Sequence, residues 1–116
     1  MKKRGNLVAF LILVAAASVR AEAVADTDVR YQALKALGEL NGTALQCKYL
    51  DQTRRMKSAV VEVAPKERSF GLAFDQATND AFLAMVQSGA PCPGPLGFES
   101  RVGAQIEAMQ EVFRAP

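Results

Sequence analysis

Histidine and tryptophan are absent from this chain, cysteine occurs twice, and aromatic residues make up only 7% of its 116 positions. Without histidine, His-based catalytic triads, the common zinc sites and haem attachment have no residues from which to be built. Neither charge sign dominates: 14 basic against 12 acidic residues leave a formal charge of +2. Long hydrophobic runs are scarce as well. The apolar run from Leu7 to Val19 falls short of the roughly 20 residues that a membrane-spanning helix needs. A chain of this length suits one small domain and excludes a multidomain enzyme. No cofactor and no metal are expected.

That apolar run is flanked in a telling way. Met1-Lys2-Lys3-Arg4 precede it, and Ala21-Glu22-Ala23 follow it as a small-residue exit, so residues 1–23 have the three parts of a secretory signal peptide. No cysteine follows the run, which argues against a lipoprotein anchor. Cleavage after Ala23 leaves a single domain, residues 24–116, with no stable membrane span; Val19-Arg20-Ala21 is the second-choice site. The lost segment carries Lys2, Lys3, Arg4 and Arg20 but a single acid, Glu22, so the remaining chain sits near −1. The basic balance is therefore a targeting signal and not a nucleic-acid footprint, which would need an excess of Lys and Arg in the mature domain. The short Lys/Arg-led signal reads as bacterial, which places the protein in the periplasm or outside the cell.

Gly and Pro punctuate the remainder at Asn41-Gly42, at Ala64-Pro65 and along Gly89-Ala90-Pro91-Cys92-Pro93-Gly94-Pro95, which divides it into four helical segments. The first is capped by Asp26 or Thr27 and carries Tyr31, Leu34, Leu37 and Leu40 with Ala33 and Ala36 beside them. The second opens on Thr43-Ala44-Leu45-Gln46, the spacing of a capping box, and places Tyr49, Met56, Val60 and Val63 on one face. The third starts with Pro65 at its first position and Glu67 in its first turn, then sets Phe70, Phe74, Ala77, Ala81 and Met85 at helical spacing, with Gly89 as its stop. The fourth has Val102, Ile106, Met109 and Phe113 at spacings of four, three and four. Val60-Val61-Glu62-Val63 is the one β-branched run, and a lone strand there would lack a partner. The fold class is all-α, a small four-helix bundle-like domain tied by one disulfide after a cleaved signal peptide.

Cys47 and Cys92 are read as that disulfide, because an exported domain with a thin core gains most from a cross-link and no C-x-x-C is present to activate a thiol. Cys47 is placed in the first turns of the second helix. The rigid loop around Cys92, with Pro91, Pro93, Gly94 and Pro95, is a candidate recognition loop, since prolines fix the backbone before binding. Lys48, Arg54, Arg55, Lys57, Lys66 and Arg68 form a candidate basic face for anionic lipid, acidic cell-wall polymer or an acidic protein surface. The third helix also has apolar residues on more than one side: Phe70, Leu72, Phe74, Phe82, Leu83 and Val86. That pattern predicts a central, nearly buried helix, with an exposed groove for an apolar ligand or a partner helix as the other reading.

Weaker candidates resolve into ordinary surface. Asp75, Asn79 and Asp80 lack the glycine and the dense alternating oxygens of a calcium loop. Asn41-Gly42-Thr43 is a glycosylation sequon by pattern but coincides with the expected cap. Ser58 beside Lys57 and Ser69 near Lys66 are the imaginable nucleophile–base pairs, with no motif around either.

A secreted all-helical domain with one disulfide spanning about 45 residues, followed by Phe98-Glu99-Ser100-Arg101-Val102 at the head of an amphipathic C-terminal helix, resembles the HdeA-type periplasmic acid-stress chaperones. The resemblance implies a protein whose carboxylates neutralise in acid, loosening the fold and exposing apolar surface to unfolding clients. The residues themselves favour an exported, non-enzymatic protein-binding module, such as an accessory subunit or inhibitor of an envelope protein. The acid-activated chaperone is the alternative, and a small enzyme with an unrecognised site the third.

Overall fold

A computed structural model describes the backbone of residues 8–115 and the side chains of residues 27–115. The side chains of the expected signal peptide therefore lie outside the described residues. Four helices and no strand are present among those described: α1 (Val8–Gln46), α2 (Leu50–Val63), α3 (Arg68–Ser88) and α4 (Pro95–Arg114). The β-branched run at Val60–Val63 is helical, as its lack of a partner strand requires.

The helices run up, down, up and down. Arg30 of α1 reaches the last turn of α4, where its Nε donates to the Val112 carbonyl at 3.4 Å and its guanidinium lies 5.7 Å from the centre of the Phe113 ring. A cation there also suits the negative end of the α4 dipole. At the same end Phe70, near the start of α3, meets Tyr31 and Phe113 at centroid distances of 5.1 and 5.3 Å. At the other end Tyr49, just before α2, stacks at 5.5 Å on Phe98 in the first turn of α4. α1 and α3 are thus parallel, as are α2 and α4. α1 is the central element: it touches each of the others, α2 also packs on α4, and α3 rests chiefly on α1.

The core is the sum of the apolar stripes. Leu34, Leu37 and Ala44 of α1, Met56 of α2, Phe74 of α3 and Phe98, Val102, Ile106 and Met109 of α4 are all buried. The expected α4 stripe is borne out, with Val102, Ile106 and Met109 inside and Phe113 packed at the margin. Pro95 occupies the first turn of α4, where its missing N–H costs no hydrogen bond.

The helix boundaries correct the sequence reading in three places. α1 does not begin at an Asp26 or Thr27 cap and does not stop at Asn41-Gly42. No Gly or Pro interrupts residues 8–37, and the alanine-rich stretch there has high helix propensity. Asn41 and Gly42 are instead buried in the α1–α3 contact. A Cβ on Gly38 would stand 2.6 Å from the Phe74 carbonyl oxygen, and one on Gly42 2.4 Å from that of Thr78. Glycine is needed at both positions because two backbones meet there, not because the chain turns. Beside this notch the Asn41 side-chain amide donates to the Thr78 hydroxyl at 3.2 Å, and that hydroxyl donates to the Phe74 carbonyl at 2.8 Å. Burial of Asn41 also removes the sequon from the surface.

The capping box is the second correction. The Thr43 hydroxyl donates back to the Glu39 carbonyl at 3.3 Å, as threonines inside helices do. α1 ends three residues later, and Cys47 lies in the linker, not in α2. The Tyr49 N–H donates to the Ala44 carbonyl at 2.8 Å and the Lys48 N–H to the Leu45 carbonyl at 3.3 Å, the two bonds of a Schellman ending. That motif requires a left-handed residue, and here it is Lys48, with φ of 61°. An L side chain in this conformation costs roughly 1 kcal/mol relative to glycine. Lys48→Gly is therefore expected to raise stability by about 1 kcal/mol in chemical denaturation, less the greater unfolded-state entropy of glycine. A loss of stability would show that Lys48 makes a compensating contact.

The third correction concerns α3. It begins at Arg68 with Glu67 as its N-cap residue, so Pro65 lies in the connection and not at a first helical position. Gly89 ends α3 as expected, at φ of 65°.

Candidate functional surfaces

The Cys47–Cys92 disulfide is present, with a Cα–Cα distance of 5.7 Å across a separation of 45 residues. It joins the α1–α2 linker to the proline loop. The Tyr49 hydroxyl reinforces the join by donating to the Pro93 carbonyl at 2.6 Å. Two candidates that the sequence kept apart are consequently one surface: Pro91, Pro93, Gly94 and Pro95 lie beside Lys48 and the start of α2. An open depression of about 430 Å³ at this end is bordered by Lys48, Leu50, Arg54, Pro95 and Glu99.

The basic face is not continuous. Arg54 and Arg55 are exposed on α2, Arg54 forming an ion pair with Asp51 and Arg55 donating to the Gln52 side-chain oxygen at 3.4 Å. The Arg55 guanidinium also covers Gly103 of α4, where it lies 3.1 Å from the position of a Cβ. Lys57 is exposed one turn on, whereas Lys66 and Arg68 belong to the opposite end of α2. Exposed pairs such as Arg54–Asp51 contribute less than about 1 kcal/mol, so these side chains serve the surface more than the fold.

The reading of α3 as a nearly buried helix is corrected. Phe70, Ala73, Phe74 and Thr78 are buried against α1, and Phe82 and Met85 are half-buried. Leu72, Leu83 and Val86 are 43%, 52% and 51% exposed. At 3.6 residues per turn they lie with Asn79 on the side of α3 opposite Ala77 and Ala81, which meet α1. The reason is geometric: the Gly38–Gly42 notch draws α3 onto α1 along one narrow line, and no other described helix covers its outer side. Sequence periodicity could not separate this from full burial, because α3 has apolar residues on both sides.

A cleft of about 690 Å³ also opens along the α1–α3 seam, with Leu40, Ala81 and Met85 among its walls and Lys35, Asp80 and Arg101 at its edge. Its charges are mixed in sign. Asp75 and Asp80, five residues apart, point to different flanks of α3 and do not converge on one point. Ser58 and Ser69 are both exposed.

The fold defines a disulfide-tied, all-α bundle with an aliphatic outer face on one helix and a proline-rich, basic end. No known family model, curated protein or solved structure matches the chain.

Proposed function

We propose that the chain is an exported, non-enzymatic protein-binding module, an accessory subunit or inhibitor of an envelope protein, and that it docks through the outer face of α3. The observation that carries this reading is the line Leu72, Leu83 and Val86. These are three half-exposed aliphatic side chains in register on one helix face, in a domain that buries Phe70 and Phe74 of the same helix and half-buries Phe82 and Met85. Covering them would contribute about 3 kcal/mol through area removed from water. That is enough to anchor an apolar surface of a partner when polar contacts surround it. The disulfide is compatible with export, since such bonds persist in oxidising compartments.

A photo-crosslinking residue placed at Leu83 in cells is expected to give one discrete adduct at neutral pH, and the same residue at the exposed Glu107 none. A broad set of adducts appearing after acid exposure alone would replace this reading with that of an acid-activated chaperone. Equal labelling from both positions would overturn it outright.

A further inference from the structure

The end of the bundle where α1 stops and α2 and α4 begin has a composition that neither the core nor the α3 face explains. Leu96 is 80% exposed and Leu50 53% exposed, and Pro91 and Pro95 are exposed beside them. Leu50 and Pro95 border the same depression, and Leu96 follows Pro95 directly in the first turn of α4. Lys48, Arg54 and Arg55 stand against Asp51 and Glu99 at this end, with Lys57 about two turns further along α2; the ion pair of Arg54 with Asp51 leaves Lys48, Arg55 and Lys57 against Glu99. α2 and α4 begin here while α1 and α3 end here, so the helix dipoles offset one another and the local charge is set by the side chains. The disulfide, the prolines and the Tyr49–Pro93 hydrogen bond hold this backbone in place, so docking would cost little conformational entropy.

We infer that this end of the bundle docks on an anionic lipid surface. Leu96 and Leu50 enter the boundary between headgroups and acyl chains, while Lys48, Arg54 and Lys57 contact the phosphate-bearing headgroups. Charge complementarity selects anionic over neutral lipid. The shape favours a bilayer over an acidic peptide, because the aliphatic groups project from an end, the depression is open, and the prolines offer no strand edge for a peptide to extend. The inference is independent of the α3 face, which lies along the side of the bundle and stays free for a protein partner.

The absence of tryptophan makes the test clean, since Leu96→Trp introduces a unique fluorophore. In the full chain mixed with phosphatidylglycerol vesicles, its emission is expected to shift to the blue and to be quenched by brominated acyl chains, with Glu107→Trp unaffected. Adding Lys48→Glu and Lys57→Glu should weaken the effect by at least about tenfold, and about 0.5 M salt should abolish most of it. Tethering through the apolar N-terminal run would bring both reporters to the vesicle, so the difference between Leu96→Trp and Glu107→Trp is what reads docking by this end. An unmoved Leu96→Trp emission would overturn the inference. So would an equal response to neutral phosphatidylcholine. A shift produced by polyglutamate without quenching by brominated lipid would overturn it in favour of an acidic protein partner.

Discussion

Reduction of the Cys47–Cys92 bond, or its replacement by Cys47→Ser with Cys92→Ser, should cost this domain about 4 kcal/mol, because opening a loop of this length returns that much chain entropy to the unfolded state. For a small domain this corresponds to a fall in Tm of about 20 °C. The loss has a local origin as well. The bridge holds the proline loop over Tyr49, and Tyr49 in turn packs on Phe98, so its removal loosens the end of the core where α2 and α4 begin. Thermal melts followed by circular dichroism with and without reductant check this directly. A fall of less than about 5 °C would mean that helix packing alone closes this end of the bundle.

Gly42→Ala should be the most damaging single substitution of a small residue in the domain. On propensity alone the change favours a helix by about 1 kcal/mol. Here the new Cβ would meet the Thr78 carbonyl oxygen at 2.4 Å and the Ala81 Cβ at 2.7 Å, and the first of these is backbone that can move only if the whole of α3 moves. The expected net loss is about 2 kcal/mol, or roughly 10 °C in Tm, accompanied by disruption of the Asn41–Thr78 hydrogen bond. Gly71→Ala and Gly97→Ala are the controls. Both positions are helical with open space around them, and there alanine should stabilise. If Gly42→Ala behaves as they do, α1 and α3 do not meet at the notch.

The contrast between these glycines shows where the sequence was legible. The fourth helix could be read because Val102, Ile106 and Met109 repeat without interruption and all face the core. The Cys47–Cys92 pairing and the stop at Gly89 followed from chemistry that leaves few choices. Asn41-Gly42 misled because the same dipeptide that favours a turn also suits a helix forced against another backbone. The signal that distinguishes them is relational: Gly38 and Gly42 are four apart, and so are Ala77 and Ala81, which they face. The true end of α1 carried no such mark, since its left-handed residue is Lys48 and not glycine.

The functional surfaces divide in the same way. The proline loop and the basic residues of α2 were each visible in the sequence, but their union required the disulfide and the Tyr49 hydroxyl to bring residues 45 apart together. The split of the basic set, with Lys66 and Arg68 at the far end of α2, follows from the antiparallel run of α2 against α1. The outer face of α3 was ambiguous for a physical reason. A helix with apolar residues on two sides is either surrounded or displayed, and the choice depends on neighbours that periodicity does not reveal.

Both proposed surfaces use side chains that the fold leaves exposed while burying their neighbours. The aliphatic line on α3 would face a protein partner and the proline end an anionic membrane, an arrangement that would hold a small accessory subunit beside a larger envelope protein. The salt sensitivity of the second contact and the apolar character of the first make them separable by experiment.

The most direct measurement is a comparison of the wild-type chain with the triple variant Leu72→Asp, Leu83→Asp and Val86→Asp, recording Tm in purified form and adduct formation in cells from a photo-crosslinking residue at Asn79. Because the three side chains lie outside the core, the fold is predicted to survive with a fall in Tm of about 10 °C, mostly from the poorer helix propensity of Asp, while the discrete adduct disappears. A collapse of the fold would show that α3 is buried on both sides, and an adduct retained at full yield would show that its outer face is not where the partner docks.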